Sequence, residues 1–154
     1  IGTATLFPLT LLAGWLSDRI GRRPIVIAGL ALGCMSLYPV FTQWLTLGTQ
    51  MPDGFGSAAG LMMLITLPLA LVTGPQTALL AELFPARTRY SAAALPHNLS
   101  AGWIGGLLPL IVTYINDRTG DPLAGLWYPT ILLGLALLVA IRWLPETRGC
   151  DLSR

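Results

Sequence analysis

Long apolar runs alternate with short polar breaks along the whole sequence. The runs cover residues 1–16, 25–45, 58–80, 95–115 and 125–144, and the last four each have the length of about 20 residues that a helix needs to cross a bilayer. They are continuous and rich in Leu, Ala and Gly, without the alternation that is typical of membrane strands. The pattern therefore predicts an all-α polytopic membrane helix bundle with five spans.

The first apolar run is shorter than the others. As a helix it would extend about 24 Å at 1.5 Å per residue, whereas the hydrocarbon core of a bilayer is about 30 Å thick. The sequence starts with Ile1 rather than Met, and no basic segment precedes the run as it would in a signal peptide. We therefore expect the first span to be truncated and the chain to be a fragment.

The composition agrees with a membrane location. Hydrophobic residues make up 54% of the chain and charged residues 10%, and the mean hydropathy is +0.69, whereas soluble domains carry about 25% charged residues. We expect the lipid bilayer to be a partner, and the net charge of +2 does not suggest nucleic acid.

With two separated cysteines and one histidine, no disulfide framework, metal site or cofactor is expected. Nucleophile elbows and phosphate loops are absent from the sequence, which argues against an enzyme.

The arginines are distributed unequally between the two faces of the predicted bundle. Five spans place eight of the nine basic residues, all arginines, on one face, and Arg118 alone on the other. Loops rich in positive charge remain in the cytoplasm. The arginine-rich face, with the tail of residues 145–154, is therefore predicted to be cytoplasmic.

Three strings on this face resemble a known family. The first break reads GWLSDRIGRRP at residues 14–24, which is similar to the signature loop that occurs once in each six-helix half of major facilitator superfamily transporters. The string AELFPARTRYS at residues 81–91 looks like the AE-x-FP-x-R-x-R stretch between helices ten and eleven of the family. The string LPETRG at residues 144–149 resembles the PETxG tail that follows helix twelve.

The resemblance covers residues 1–154 and implies a partial C-terminal half, with the spans corresponding to helices eight (truncated) to twelve of a twelve-helix transporter. Residues 102–109 and 120–129 look most like the metabolite:proton symporters of proline/betaine, citrate, 2-oxoglutarate and shikimate. The resemblance therefore implies proton-coupled symport of a small organic acid or zwitterion by alternating access, in a multi-pass protein of the bacterial inner membrane. The implied partners are the solute, protons and the missing N-terminal half of the chain. A sugar or drug transporter of the same fold, and a non-transporting receptor or assembly protein, remain alternatives.

The resemblance also implies a cytoplasmic gate. In the family, arginines and glutamates matching Arg19, Arg22, Arg23, Glu82 and Glu146 form a network that latches the outward-facing state. The alternative is a solvated basic face whose ion pairs contribute at most about 1 kcal/mol each. The same three strings also add the following residues to the candidate gate: Gly14, Asp18, Gly21, Arg87, Arg89 and Arg148.

Polar residues within the spans are scarce, so each is a candidate for function. Gln76 follows Gly74 and Pro75 in the third span, where proline removes a helix hydrogen bond and glycine permits a kink. One interpretation is a hinge with Gln76 on the substrate path. The other is a packed kink in which Gln76 bonds to a neighbouring helix.

The start of the fourth span holds the remaining candidates. Histidine is the residue type whose charge can change near neutral pH, which makes His97 a candidate proton carrier. The relatives more often have an aromatic residue there, and an interfacial histidine usually packs or sets topology. Asn98 follows it as a second residue of the candidate substrate path. No span contains a buried Asp or Glu, so we expect the proton-carrying carboxylate in the missing N-terminal half. Gly102 and Gly106 are four residues apart, which predicts close helix packing.

Overall fold

The computed structural model describes residues 2–50, 55–83 and 89–146, and these form six α-helices. A π-helical segment, Ser100–Gly105, joins α4 to α5, and a 3₁₀ turn, Ala124–Leu126, precedes α6. No strand occurs in these ranges, which confirms the all-α prediction. The α-helices are α1 Gly2–Ile20, α2 Arg22–Gln50, α3 Phe55–Leu83, α4 Arg89–Leu99, α5 Gly106–Thr119 and α6 Trp127–Trp143.

Four helical stretches of the described residues are long and apolar enough to cross a membrane. They are Arg22–Thr46, Ala59–Leu80, Ala94–Thr119 and Ala124–Trp143. Each overlaps one of the last four apolar runs, and residues 2–16 of the first run lie within α1, which has 19 residues. The chain is thus a polytopic helix bundle whose elements are set by the hydropathy pattern.

The break between α1 and α2 is a single residue. α1 continues through Ser17 to Ile20, beyond the end of the apolar run, because polar side chains do not themselves interrupt a helix. It ends at Gly21, whose φ of +127° is accessible to glycine but rarely to other residues. The Gly21 N–H donates to the Ser17 carbonyl at 2.9 Å, and α2 begins at once, with Pro24 in its first turn, where the missing N–H has little cost.

α3 packs against both α1 and α2, and α2 also packs against α6. α3 crosses α1 and α2 closely at glycines, which have no side chain. A Cβ on Gly74 would lie 2.8 Å from the Thr10 carbonyl oxygen and 2.9 Å from the Ala13 Cβ, and one on Gly29 would lie 2.8 Å from Val72 Cγ2. Glycine therefore lets α3 touch the backbone of α1 and the surface of α2.

The stretch from α4 into α5 stands apart from the other helices. All residues from 94 to 107 are exposed. A Cβ on Gly102 would meet nothing within 4 Å, and one on Gly106 would meet only the Ala101 carbonyl at 4.0 Å. The described residues place no neighbouring helix against either glycine, and the packing predicted for them stays a prediction.

The far end of α5 is attached firmly to the turn before α6. The Asn116 Nδ2 donates to the Pro122 carbonyl at 3.0 Å, and its Oδ1 accepts from the Gly125 N–H at 2.6 Å. A Cβ on Gly125 would lie 2.6 Å from the Val112 carbonyl oxygen. One amide side chain thus clamps the turn against α5, while α4 is free of comparable contacts among the described residues.

Candidate functional site

Four charged residues from separate elements meet at the arginine-rich end of the bundle. Asp18 lies in the last turn of α1, Arg22 is the first residue of α2, Glu82 lies in the last turn of α3, and Glu146 follows α6. Arg22 contacts each of the other three, through its side chain or its backbone. We call these four residues the charge cluster.

The Arg22 guanidinium is the centre of the charge cluster. Its Nε lies 3.0 and 3.2 Å from the two Glu82 carboxylate oxygens, and its Nη2 lies 2.7 Å from Oε1, which makes the pair bidentate. Its Nη1 contacts the Asp18 carboxylate and donates to the Ser17 hydroxyl at 3.1 Å. The Ser17 hydroxyl in turn donates to the Gly14 carbonyl at 2.7 Å. Three helices are therefore joined through one side chain.

The two carboxylates around Arg22 differ in their exposure. The side chains of Arg22 and Glu82 are 13% and 12% exposed, whereas that of Asp18 is 61% exposed. Charge-assisted, bidentate hydrogen bonds are about twice as strong as neutral ones, and shielding from solvent reduces screening by salt. The Arg22–Glu82 pair is thus the stronger contact of the cluster, and Asp18 is the weaker one at its rim.

Glu146 binds the backbone at the start of α2. Its carboxylate accepts hydrogen bonds from the N–H groups of Arg22 and Arg23, at 2.9 and 3.3 Å. N–H groups in the first turn of a helix have no partner within the helix, and they carry the positive end of its dipole. Gly21 makes room for this contact, because a Cβ there would lie 2.7 Å from Glu146 Oε2. Glu146 therefore caps α2 from the other end of the chain.

The other two arginines of the first loop have different roles. The Arg23 Nη2 donates to the Ile141 carbonyl at 2.7 Å, in the last turn of α6, where carbonyls lack helical partners. The Arg19 guanidinium lies 4.0 Å from the centroid of the Trp15 ring, a cation–π contact on the exposed side of α1. Of these three arginines, Arg22 is the one whose side chain forms a salt bridge to a described carboxylate.

Three of the predicted gate arginines lie wholly or partly outside the described residues. Arg87 and Arg148 lie outside the described residues, as does the side chain of Arg89, the first residue of α4. Two contacts were missed by sequence reasoning, the buried Ser17 hydroxyl and the Ile141 carbonyl. Ser17 could have been suspected from its place in the GWLSDRIGRRP string, but a backbone carbonyl leaves no signal in a sequence.

The candidate substrate-path residues lie away from the charge cluster. α3 passes through Gly74 and Pro75 as one continuous helix, and Pro75 is fully buried at the crossing. Gln76 is partly buried, and its amide forms no hydrogen bond within the described ranges. His97 and Asn98 are exposed on α4. The structure thus brings neither of these two residues into a described hydrogen bond with Gln76.

Metal chemistry has no support from the described part of the chain, where no group of three or more His, Cys, Asp or Glu side chains could hold an ion. What the charge cluster offers is a set of reversible contacts between helix ends. Ion pairs and helix caps of this kind break without covalent chemistry, and they can differ between two arrangements of the same helices.

Comparison with known proteins connects this arrangement to a family. The model of the family described as "Sugar (and other) transporter" matches residues 1–154. A proline/betaine transporter of Salmonella typhimurium is 32% identical over 83% of the chain, and a citrate-proton symporter of Salmonella typhi is 31% identical over 76%. An ectoine/proline transporter of Corynebacterium glutamicum is 28% identical over 81%. The matches cover 24%, 26% and 24% of these proteins, so the chain spans about a quarter of their length. No solved structure matches the chain.

Proposed function

Because the chain belongs to the sugar (and other) transporter family, of the major facilitator type, we propose that it is part of a protein that moves a small organic acid or zwitterion across the membrane by proton-coupled symport. The relatives named as transporters of proline, betaine, ectoine and citrate support this class of solute. All of these solutes carry a carboxylate, and two of the three matches are 30% identical or more. These relatives are transporters and not enzymes, which fits the expectation from the sequence.

The charge cluster is proposed to act as a latch in alternating access. In such transporters the substrate lies near the midplane between two halves, and the protein is open either to the outside or to the inside. The contacts that hold one of these two states break in the other state. Arg22 joins α1, α2 and α3 at one end, and Glu146 ties the segment after α6 to the same point. This convergence of four chain segments on Arg22 is the observation that carries the proposal.

The positive-inside rule supports placing that end in the cytoplasm of a bacterial cell, with the multi-pass bundle in the inner membrane. The latch then holds the outward-facing state. The remaining length of the relatives' chains is proposed to supply the opposing half of the cavity, and with it the carboxylate that carries the proton. The His97 imidazole is not assigned this task, because it lies exposed on α4, away from the crossing of α1 and α3.

Gln76 is proposed to contribute a hydrogen bond to the solute. Its amide is partly buried in an apolar span, next to the buried Pro75, and has no partner among the described residues. An amide in such a place is costly unless something polar binds it. A carboxylate or a zwitterion offers the acceptor that the amide nitrogen lacks.

The test is uptake by the complete protein in proteoliposomes. A labelled panel of proline, betaine, citrate, 2-oxoglutarate, shikimate and a hexose is offered with and without an inward proton gradient. We expect uptake of one organic acid or zwitterion that rises with the gradient and falls to the basal rate when a protonophore dissipates it. Hexose uptake alone would move the protein to the sugar-transporting branch. Binding of a solute without any uptake, by protein shown to be folded, would favour a non-transporting receptor.

A further inference from the structure

Ser17 is a polar residue that is wholly buried near the end of α1. It is 0% exposed, although it directly precedes Asp18, whose side chain is 61% exposed. A buried hydroxyl costs free energy unless its hydrogen-bonding groups are paired. Alanine would serve equally well if a small side chain were needed only for close packing. The hydroxyl itself therefore calls for an explanation.

The Ser17 hydroxyl both donates and accepts a hydrogen bond. It donates its one hydrogen to the Gly14 carbonyl at 2.7 Å, and it accepts from Arg22 Nη1 at 3.1 Å. Because the hydrogen is directed at a carbonyl of the preceding turn, the backbone of α1 fixes where the lone pairs of the oxygen point. The hydroxyl is thus an acceptor of fixed direction, and it does not rotate to follow its donor.

An acceptor of fixed direction at one corner of a guanidinium orients the whole group, because the guanidinium is planar and its N–H donors keep a rigid arrangement. With Nη1 of Arg22 held by Ser17, the edge formed by Nε and Nη2 faces the Glu82 carboxylate. Bidentate pairing requires this alignment of two planar groups. The Ser17 contact therefore bears on the stronger pair of the charge cluster.

Asp18 contacts the same nitrogen of Arg22 but holds it less firmly. Its carboxylate is largely exposed, and an exposed ion pair competes with water and is screened by salt. Ser17 is shielded from water. The two N–H groups of Nη1 thus serve one solvated anion and one buried neutral acceptor, and the buried acceptor is the one that fixes the direction of the guanidinium.

The contact between Ser17 and Arg22 is local to the hairpin of α1 and α2. The two residues are five positions apart in the sequence, whereas Glu82 lies 60 positions from Arg22, on α3. A displacement of the end of α3 relative to this hairpin would break the contact with Glu82 and leave Ser17 beside Arg22. The orientation of the guanidinium would then be kept while its partner is away.

We propose that Ser17 is a positioning residue of the latch, whose hydroxyl holds the Arg22 guanidinium in the orientation that Glu82 requires. Fixing the guanidinium in advance reduces the side-chain entropy that the arginine loses each time the pair forms. Loss of the hydroxyl therefore weakens the pair without removing either charge. The consequence for transport rests on the proposed function of the charge cluster, whereas the orientation of Arg22 does not.

The orientation is tested by NMR on the complete protein in detergent. The measured quantity is the exchange rate with water of the Arg22 Nε–H proton, which exchanges when its hydrogen bond to Glu82 opens. Arg22→Lys assigns the signal by its loss. We expect Ser17→Ala to accelerate exchange about fivefold, as for the loss of one hydrogen bond. Ser17→Cys should also accelerate it, because sulfur fills the space but accepts only weakly.

Thr66 of α3 provides the matched control. It is 8% exposed, and its hydroxyl donates to the Met63 carbonyl, three residues earlier, at 3.0 Å. Ser17 makes the same local bond, but the described hydrogen bonds of Thr66 include none from a guanidinium. Thr66→Val should therefore leave the exchange of the Arg22 proton unchanged. Melting temperatures identify any variant that has lost its fold, and Ser17→Cys carries the test if Ser17→Ala is such a variant.

The consequence for the latch is tested by distances between spin labels on the arginine-rich ends of the two halves of the complete protein. We expect Ser17→Ala to shift the population towards the state open at this end by about fivefold. In the Glu82→Gln background the same change should have little effect, because the hydroxyl acts through that pair. Equal shifts in the two backgrounds would contradict a role through Glu82.

The two measurements separate the positioning of Arg22 from the latch. An unaltered exchange rate in folded Ser17→Ala or Ser17→Cys would overturn the inference, and so would an equal acceleration by Thr66→Val. Faster exchange together with unchanged distances in both Ser17→Ala and Glu82→Gln would refute the latch, while the positioning of Arg22 by Ser17 would stand.

Discussion

Replacing Glu82 by glutamine removes one negative charge from the charge cluster and leaves a side chain of nearly the same size. Glu82→Gln leaves one oxygen that can still accept from Arg22, and it replaces the other with an amide nitrogen that cannot. The bidentate contact seen at 2.7 and 3.0 Å is therefore lost. Asp18 stays beside the guanidinium, so Arg22 keeps a counter-charge, although an exposed one.

The size of the effect follows from burial. Hydrogen bonds to charged groups contribute about 1.5–3 kcal/mol when shielded from water, and the two side chains are 13% and 12% exposed. The larger cost of about 3–5 kcal/mol for an orphaned buried charge does not apply, because Asp18 remains. A loss of about 2 kcal/mol corresponds to about a thirtyfold shift of the equilibrium towards the state open at the arginine-rich end.

The assay is the distribution of distances between spin labels on the arginine-rich ends of the two halves of the complete protein, measured by double electron–electron resonance. Asp18→Asn is the matched control, since it removes a carboxylate from the same guanidinium at a site that is 61% exposed. Exposed pairs contribute about 1 kcal/mol or less. If Glu82→Gln shifts the population no more than Asp18→Asn does, the latch is refuted.

Three further substitutions have defined outcomes. Gly21→Ala should lower stability by about 1–3 kcal/mol, through its positive φ and the collision with Glu146, and an unchanged melting temperature would contradict this. Gly74→Val should lower the melting temperature far more than Gly60→Val, whose Cβ meets nothing within 4 Å, and equal effects would show that the α1–α3 crossing tolerates a side chain. Gln76→Ala should raise the KM for the solute about fivefold at an unchanged melting temperature, the loss of one hydrogen bond of about 1 kcal/mol. An unchanged KM would remove Gln76 from the substrate path.

Hydropathy was sufficient to predict the helices, but not where they end. The apolar run ends at Leu16, while α1 continues to Ile20. Hydrophobicity reports which residues can lie in lipid, whereas a helix ends where its backbone must turn. The backbone turns at Gly21. Because glycine can adopt a positive φ angle, this one residue is enough to separate α1 from α2.

The charge cluster was predictable in its residue types and not in its contacts. Charge alone cannot distinguish Arg22, which binds Glu82, from Arg19, which lies on the Trp15 ring. The difference arises because the chain reverses at Gly21 between them. Glu146 caps backbone N–H groups at the start of α2, and such a contact depends on the exact position of a helix start.

The π-helical segment Ser100–Gly105 was not predicted at all. Spacing of small residues at Gly102 and Gly106 is compatible with an ordinary helix that packs closely, so the pattern gave no reason to expect a wider turn. One signal was present. Pro109 has no N–H to donate to the Gly105 carbonyl four residues earlier, which loosens the ladder where the π segment ends.

The cap that Glu146 places on α2 has a consequence for biosynthesis. The two partners are 124 residues apart in the chain, and a ribosome adds about 5–20 residues per second, so roughly 6–25 s pass between their syntheses. For most of that interval α2, which ends at Gln50, is already made, but its first N–H groups lack the carboxylate that will bind them. The helical hairpin of α1 and α2 must therefore enter the membrane with this end unfinished. The cap at the start of α2 forms only when translation has passed α6 and Glu146 has been added.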